Sequence, residues 1–199
     1  MSLELRGFDI PLLQPIDLTL ADGWLVTLSG PSGAGKSLLL RAIADLDPHQ
    51  GECLLDGQNQ CSMPAPVWRR RVGLLPAEPQ WWYDQVGDHF PDGKSTFLKP
   101  LGLPAECLQW QISRLSSGEK QRLGLARLLE NEPRILLLDE ATANLDQENR
   151  QRVETLIHDL QKSRRLGVLW VSHDPDQRRR LSDRSLRIVQ DRLERESWS

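Results

Sequence analysis

The sequence predicts an α/β fold in which helices cover both faces of a mainly parallel sheet. The first observation is a pair of short, apolar strand-like runs, Arg134–Asp139 and Gly167–Ser172, which are separated by a helical pattern at Asn149–Arg164. Strands that are apolar on both faces are typical of parallel sheets. The second observation is an earlier apolar run, Trp24–Leu28, which leads through a glycine-rich turn into another helical pattern. Strands that alternate with helices in this way indicate an α/β architecture.

The elements can be placed in order along the chain. Leu3–Phe8 and Ile16–Leu20 alternate apolar and polar residues, which predicts an antiparallel pair before the turn at residues 21–23. After the glycine-rich turn, residues 38–46 have apolar side chains at helical spacing and stop near Asp47-Pro48. Further strands and an amphipathic helix are predicted at Glu52–Leu55, Val72–Leu75 and Gly118–Glu130.

The composition changes from Pro76 to about Arg114, where prolines and tryptophans are frequent and the apolar residues have no clear helical or strand periodicity. We predict a small, mostly helical insert there. The 199 residues are then one domain, with a core made of residues 1–76 and 116–199 and a small helical subdomain at 77–115.

Composition limits the classes of function. The chain has 28 acidic and 25 basic residues, a net charge of −3, and 39% hydrophobic residues. Proteins that bind nucleic acid normally have a clear basic excess, so we expect no such partner. The three cysteines lack metal-ligand spacing. No apolar run approaches the roughly 20 residues that span a bilayer, and no signal peptide is visible. We therefore expect a cytoplasmic protein that reaches a membrane only through a partner.

The most informative motif is GPSGAGKS at residues 30–37, which fits the pattern G-x-x-x-x-G-K-[ST] between an apolar strand and a helix. The glycines let the backbone curl so that successive N–H groups point at phosphate oxygens. Lys36 is expected to reach the β- and γ-phosphates of ATP, and the Ser37 hydroxyl to ligate Mg²⁺. The candidate nucleotide-binding residues are Gly30, Pro31, Ser32, Gly33, Ala34, Gly35, Lys36 and Ser37.

Two acidic residues, Asp139 and Glu140, stand at the end of the buried strand at residues 134–139. The carboxyl end of a parallel strand is where α/β folds place ligand-binding groups. We expect Asp139 to hold Mg²⁺ and Glu140 to polarise the water that attacks the γ-phosphate.

Three further motifs are LSSGEKQR at 115–122, NLD at 144–146 and SHD at 172–174. Together with the phosphate loop and the Asp-Glu strand they stand in the order found in the ATP-binding cassette (ABC) ATPases, which the sequence resembles over essentially its whole length. The resemblance implies the ABC type of P-loop NTPase fold, with an antiparallel β region at the N-terminus and a small helical subdomain. It also implies ATP and Mg²⁺ as cofactors and ATP hydrolysis as the reaction.

The resemblance also implies roles for single residues. Glu140 corresponds to the catalytic carboxylate, and His173 to the switch histidine that contacts the γ-phosphate. Ser116 and Gly118 correspond to signature residues that contact the γ-phosphate bound to the opposite protomer, and Asp146 to an aspartate at that interface. The implied partner is a second copy of the chain, or a homologous ATPase, in an ATP-dependent head-to-tail dimer.

The sequence departs from the family pattern in places. Ala77 stands where a glutamine usually contacts Mg²⁺, so either a neighbouring side chain or water would complete the metal shell. Ser117 replaces a glycine of the signature, and the segment 77–115 is short for the helical subdomain. The aromatic residue that stacks on adenine is assigned to Phe8. The aromatic run 81–83 either contacts a partner or fills a small core.

The predicted function is that of an ATP-binding subunit which hydrolyses ATP to power a membrane transporter encoded on a separate chain. Such a subunit lies on the cytoplasmic face of the membrane through its integral membrane partner. Local strings such as VLWVSHDPDQ resemble the short iron- or metal-export branch of the family. Two alternatives are a soluble ABC-type ATPase that acts on a cytosolic assembly, and a regulatory module that binds nucleotide but hydrolyses it weakly.

Overall fold

The computed structural model describes residues 2–182 and 184–196, which form two sheets and a set of covering helices. The strands are β1 (Ser2–Ile10), β2 (Leu13–Ala21), β3 (Leu25–Ser29), β4 (Gln50–Leu55), β5 (Gln58–Asn59), β6 (Val72–Leu75), β7 (Ile135–Asp139), β8 (Gly167–Val171), β9 (Ser185–Val189) and β10 (Arg192–Arg195). The α-helices are α1 (Lys36–Ile43), α2 (Ala65–Arg71), α3 (Ser117–Leu129), α4 (Gln147–Arg164) and α5 (Pro175–Leu181).

The smaller sheet is antiparallel and has the strand order β2-β1-β4-β5. Its central strand places Leu5 opposite Leu18 on one side and Cys53 on the other. Apolar residues of these strands face one core while Arg6 is exposed. The N-terminal antiparallel region predicted from the alternating pattern is therefore confirmed.

The larger sheet has the order β10-β9-β3-β8-β7-β6. Its strands β9, β3, β8, β7 and β6 run parallel to their neighbours, and only β10 is antiparallel. Every residue of β3, β7 and β8 is buried. Because these strands are parallel and adjacent, their carboxyl ends, Ser29, Asp139 and Val171, meet at one edge of the sheet.

The larger sheet separates two hydrophobic cores. Leu136 and Leu138 of β7 face a core that is shared with α3 and α4, whereas Ile135 and Leu137 face a core shared with α1 and the antiparallel sheet. Side chains of a strand alternate between the two faces of its sheet, so an all-apolar strand requires a cover on each side. The predicted α/β fold with a mainly parallel core is confirmed.

The helical character predicted for residues 77–115 takes the form of short 3-10 turns, and no α-helix lies within that range. The turns span Gly87–His89, Pro91–Gly93, Ala105–Gln109 and Ile112–Arg114. Prolines at 79, 91, 100 and 104 interrupt the segment. Proline has no N–H for a helix interior and also restricts the residue before it, so each of these prolines disfavours a helix that runs through it.

Two arginines of α3 attach this segment to the core. Arg122 Nη1 donates a hydrogen bond of 2.8 Å to the carbonyl oxygen of Leu101 in a buried position. The guanidinium of Arg127 lies 4.5 Å from the centroid of the Trp81 ring and 4.6 Å from that of Trp82. Burial lowers the pKa of both arginines, and contacts with carbonyl oxygens and aromatic faces offset the cost of desolvating their charge.

Candidate functional site

The loop at residues 30–37 connects the carboxyl end of β3 to the first turn of α1. Gly30, Gly33 and Gly35 have φ angles of 154°, 76° and 92°, in the region that favours glycine. Gly35 is the N-cap of α1 and provides no side-chain hydrogen bond to the helix. By contrast, side chains cap the first turns of α3, α4 and α5. The N–H groups at the start of α1 are therefore left to a ligand such as a phosphate.

Lys36 lies across the mouth of this loop. Its Nζ donates hydrogen bonds to the carbonyl oxygens of Gly30 (2.9 Å) and Pro31 (2.8 Å). The residue is only 7% exposed. Burial lowers the pKa of Lys36, and the nearby charges of Glu140 and Asp139 act in the opposite direction. A positive charge is thus held inside the loop, with two carboxylates close enough to influence it.

Asp139 and Glu140 end the central strand β7. Asp139 pairs with Val171 of β8 and is 7% exposed. Glu140 then adopts a φ of 50°, and its N–H donates to the carbonyl oxygen of Val171 at 3.1 Å. A left-handed conformation in a residue other than glycine costs of the order of 1 kcal/mol or more and is often found at functional sites.

The carboxylate of Glu140 contacts the imidazole of His173, which follows the neighbouring strand β8. Glu140 Oε1 lies 2.9 Å from His173 Nε2, and both side chains are partly exposed. Together with Thr142 and Ser172 they line a small cavity of about 190 Å³. The predicted residues Glu140 and His173 are therefore in contact at the edge where β3, β7 and β8 end.

The oxygens of Ser37 and Asp139 form a donor set suited to Mg²⁺, which prefers hard oxygen ligands. No group of three His, Cys, Asp or Glu side chains that could hold a metal occurs in residues 2–182 and 184–196. Mg²⁺ sites in proteins commonly use one or two carboxylates together with substrate phosphates and water.

A second group of predicted residues lies at the start of α3 and α4. Ser116 caps α3: its Oγ accepts from the Glu119 N–H at 3.2 Å and donates to Glu119 Oε2 at 2.8 Å. A Cβ on Gly118 would lie 3.2 Å from the carbonyl oxygen of Asn144, so α3 packs directly on the 144–146 loop. Asp146 caps α4 by accepting from the N–H of residue 149 at 2.8 Å.

Phe8 cannot serve the adenine role that the resemblance implies, because it is 0% exposed. Its ring packs in the core with a centroid 4.3 Å from that of His49. The exposed apolar side chain beside the loop is instead Leu12, which is 65% exposed in the turn between β1 and β2. A Cβ placed on Gly35 would lie 3.6 Å from Leu12 Cβ. Leu12 is aliphatic, so a pattern that requires an aromatic residue gives no signal for it.

Ala77 is exposed and lines a cavity of about 460 Å³ together with Ser117, Lys120 and Gln121. The Gln121 amide donates to the carbonyl oxygen of Pro76 at 3.3 Å, which ties this strand end to α3. Ser117 is exposed on the first turn of α3. Its hydroxyl therefore has open space around it rather than a packed environment.

Comparisons with known proteins agree with this arrangement. Residues 13–143 match the family model described as ABC transporter. The chain is 35% identical over 182 residues to the probable iron export ATP-binding protein FetA of Escherichia coli (strain K12), covering 85% of this chain and 81% of that protein. It is 39% identical over 189 residues to the aliphatic sulfonates import ATP-binding protein SsuB 1 of Nocardia farcinica (strain IFM 10152), covering 92% and 74%.

Among solved structures, the fold is similar to an ATP-binding cassette in a dimeric post-hydrolysis state with ADP and Pi bound. The TM-score is 0.87, with 23% identity, 98% of this chain covered and 97% of the other. Within the part of the chain that the structure describes, no helix has the length and apolar character needed to cross a membrane.

Proposed function

Since the chain belongs to the ABC transporter family, we propose that it is the ATP-binding subunit of a transporter whose membrane-spanning part is a separate chain. The observation that carries this proposal is the set of groups at one sheet edge: a glycine loop with an uncapped helix start, Lys36 inside it, and the contacting pair Glu140 and His173. This set has the parts needed for phosphoryl transfer to water.

The phosphates of ATP bind where the α1 N–H groups and the Lys36 ammonium converge. Nζ of Lys36 exchanges its bonds to the Gly30 and Pro31 carbonyl oxygens for bonds to phosphate oxygens. Ser37 and Asp139 would hold Mg²⁺, which would supply positive charge beside the phosphates. Hydrogen bonds between charged groups are the stronger ones, so this exchange favours the bound nucleotide.

Glu140 and His173 act on the attacking water. The Glu140 carboxylate accepts a hydrogen bond from the water and orients its oxygen towards the γ-phosphorus. The imidazole of His173, 2.9 Å from Glu140 Oε1, fixes the carboxylate and is placed to contact a γ-phosphate oxygen. The products are ADP and inorganic phosphate.

Ser116, Gly118 and Asp146 are proposed to face the nucleotide of a second copy of the chain. Within the chain, Ser116 caps α3, Asp146 caps α4, and Gly118 packs on the 144–146 loop. A helix start such as that of α3 offers N–H groups and the positive end of a dipole to phosphate. ATP would then join two protomers head to tail, and hydrolysis would release them.

The contact with the membrane partner is proposed to involve the exposed aromatic residues near the start of the 77–115 segment. Trp82 and Tyr83 are 63% and 53% exposed, which is unusual for large aromatic side chains. A contact of this kind requires the chain to lie on the cytoplasmic face of the membrane. By name, the relatives include both an iron export protein and an aliphatic sulfonates import protein.

The proposal is tested by measuring phosphate release from ATP by the purified chain with Mg²⁺, together with light scattering to follow ATP-dependent dimer formation. Hydrolysis that requires Lys36, and a dimer that appears only with ATP, are the expected results. A chain that neither binds nor hydrolyses ATP would refute the proposal. Co-purification of a multi-span membrane protein with the chain tests the transport role separately.

A further inference from the structure

A buried polar network lies directly behind Glu140 and His173, and Gln177 is at its centre. Gln177 is on the first turn of α5 and is 2% exposed. Its Oε1 accepts from the Ser172 hydroxyl at 2.6 Å. Its Nε2 donates to Thr142 Oγ1 at 2.7 Å and to Glu154 Oε1 at 2.8 Å. Both amide protons of Gln177 and its oxygen are therefore used.

The partner at Glu154 determines which atom of the Gln177 amide is the nitrogen and which is the oxygen. A carboxylate only accepts hydrogen bonds, so the nitrogen of Gln177 must face Glu154. Glu154 is held in turn by Arg180, whose Nε and Nη2 lie 3.0 Å and 2.8 Å from its two oxygens. The network is thus anchored on α4 through a carboxylate whose charge is balanced.

The two hydroxyl partners of Gln177 belong to the two loops that carry the reacting groups. Ser172 immediately precedes His173, and Thr142 follows Glu140 by two positions, in the turn after β7. Thr142, Ser172 and Gln177 also line the same cavity as Glu140 and His173. One side chain therefore links the end of β7 to the end of β8 at the point where the Glu140–His173 contact is made.

We propose that Gln177 is a positioning residue for ATP hydrolysis, which sets the spacing of Glu140 and His173 by tying Thr142 to Ser172. This inference rests on the proposed hydrolytic function. The main-chain bonds of the sheet reach as far as Glu140, whose N–H donates to the Val171 carbonyl oxygen, and Ser172, whose N–H donates to that of Leu28. Beyond them, Gln177 joins the two turns through its bonds to Thr142 and Ser172. A misplacement of about 1 Å at a reacting group lowers a rate by up to about 100-fold.

The first test is Gln177→Ala, with steady-state kinetics of the purified chain and a nucleotide-binding measurement. We expect kcat to fall about 10- to 100-fold, while the Kd for ATP stays within about threefold, because the phosphate loop is not touched. Gln161→Ala is the matched control, because the Gln161 amide also donates a hydrogen bond, here to the carbonyl oxygen of Gly23 at 2.7 Å, but at the far end of α4. That variant should keep the kcat of the unmodified chain.

The second test reverses donor and acceptor. Gln177→Glu places a carboxylate against Glu154 with no proton between them, so kcat should fall. Adding Glu154→Gln supplies an amide that donates to the carboxylate at 177, and kcat should recover at least severalfold over the single variant. This comparison holds even if Gln177→Ala does not fold.

The outcomes separate the inference from the function on which it rests. If the unmodified chain does not hydrolyse ATP, the hydrolytic function fails. If it hydrolyses ATP and Gln177→Ala has an unchanged kcat, or the double variant is no faster than Gln177→Glu, the positioning role is refuted. A fall in ATP affinity equal to the fall in kcat would also refute it, because a positioning residue behind Glu140 acts on the chemical step.

Discussion

Replacing Glu140 by glutamine removes one negative charge from the site and changes its shape very little. The amide keeps an oxygen that can contact Nε2 of His173, which lies 2.9 Å from Glu140 Oε1. The φ angle of 50° at this position is tolerated equally by both side chains. The substitution therefore isolates the ability of the side chain to accept a proton from the attacking water.

The expected magnitude follows from that single loss. General-base catalysis contributes about 10²- to 10⁴-fold to a rate. At about 1.4 kcal/mol for each factor of ten, the activation free energy of hydrolysis should rise by about 3–5.5 kcal/mol. Binding of ATP should be retained, since Lys36 and the start of α1 are unchanged. Because the bound ATP is not hydrolysed, a stable dimer should then accumulate.

The assay combines single-turnover phosphate release with size-exclusion chromatography in the presence of ATP. Glu132→Gln is the matched control, because Glu132 has a similar φ of 48° and lies beside Arg164, away from the loop. That variant should hydrolyse ATP at the normal rate. Hydrolysis by Glu140→Gln within about threefold of the unmodified chain would refute the general-base role, and a variant that stays monomeric with bound ATP would refute the dimer mechanism.

Three further predictions concern Lys36, Ala77 and, in the 77–115 segment, His89. Lys36→Ala should weaken ATP binding about 10- to 100-fold in calorimetry, because charge-assisted bonds contribute about 1.5–3 kcal/mol. Ala77→Gln should raise the steady-state hydrolysis rate by supplying an oxygen to the metal shell; an unchanged rate would contradict this. Burial lowers the pKa of His89 below its usual 6.5, so its neutral form is favoured in the folded chain. The free energy of unfolding in urea should therefore fall as pH drops below about 6.5, and His89→Gln should flatten that dependence.

Much of the fold follows from local patterns because the strands that matter are buried on both faces. The apolar run 134–139 predicted β7, which spans Ile135–Asp139, and the predicted helix at Asn149–Arg164 starts two residues early as α4. The positions of Asp139 and Glu140 were predictable for the same reason, since a buried parallel strand ends at the sheet edge. His173 was singled out by the resemblance to the family, through its place in the order of the motifs. Tertiary contacts were not needed to place them.

Phe8 shows why the adenine contact was not predictable. Strict alternation from Leu3 and Leu5 puts Phe8 on the opposite face of β1, where it would be free to stack on a base. The register of β1 shifts between Leu5 and Phe8, and Gly7 between them has a φ of 51°. Such a bulge moves every later side chain to the other face, so Phe8 enters the core. The sequence alone does not reveal a bulge of this kind.

The segment 77–115 was unpredictable for a different reason. Its conformation depends on long-range contacts from α3, such as the Arg122 bond to the Leu101 carbonyl and the stacking of Arg127 on Trp81. Its buried ring of His89 accepts the N–H groups of Trp82 and Tyr83, each at 3.1 Å. The residues that make these contacts follow no helical or strand repeat along the chain, so neither residue propensity nor residue spacing predicts the contacts.

The hydrogen bonds of the free chain also indicate an order of events for nucleotide binding. The Lys36 ammonium and the Ser116 hydroxyl already have partners in their own chain, and that of Ser116 is the carboxylate of Glu119. A phosphate at Ser116 must displace this negative charge, whereas at the start of α1 it meets uncapped N–H groups. Displacing a carboxylate from Ser116 costs free energy, whereas the uncapped N–H groups and the positive end of the α1 dipole contribute to phosphate binding. We therefore expect ATP to occupy the phosphate loop at ATP concentrations lower than those needed for two protomers to associate.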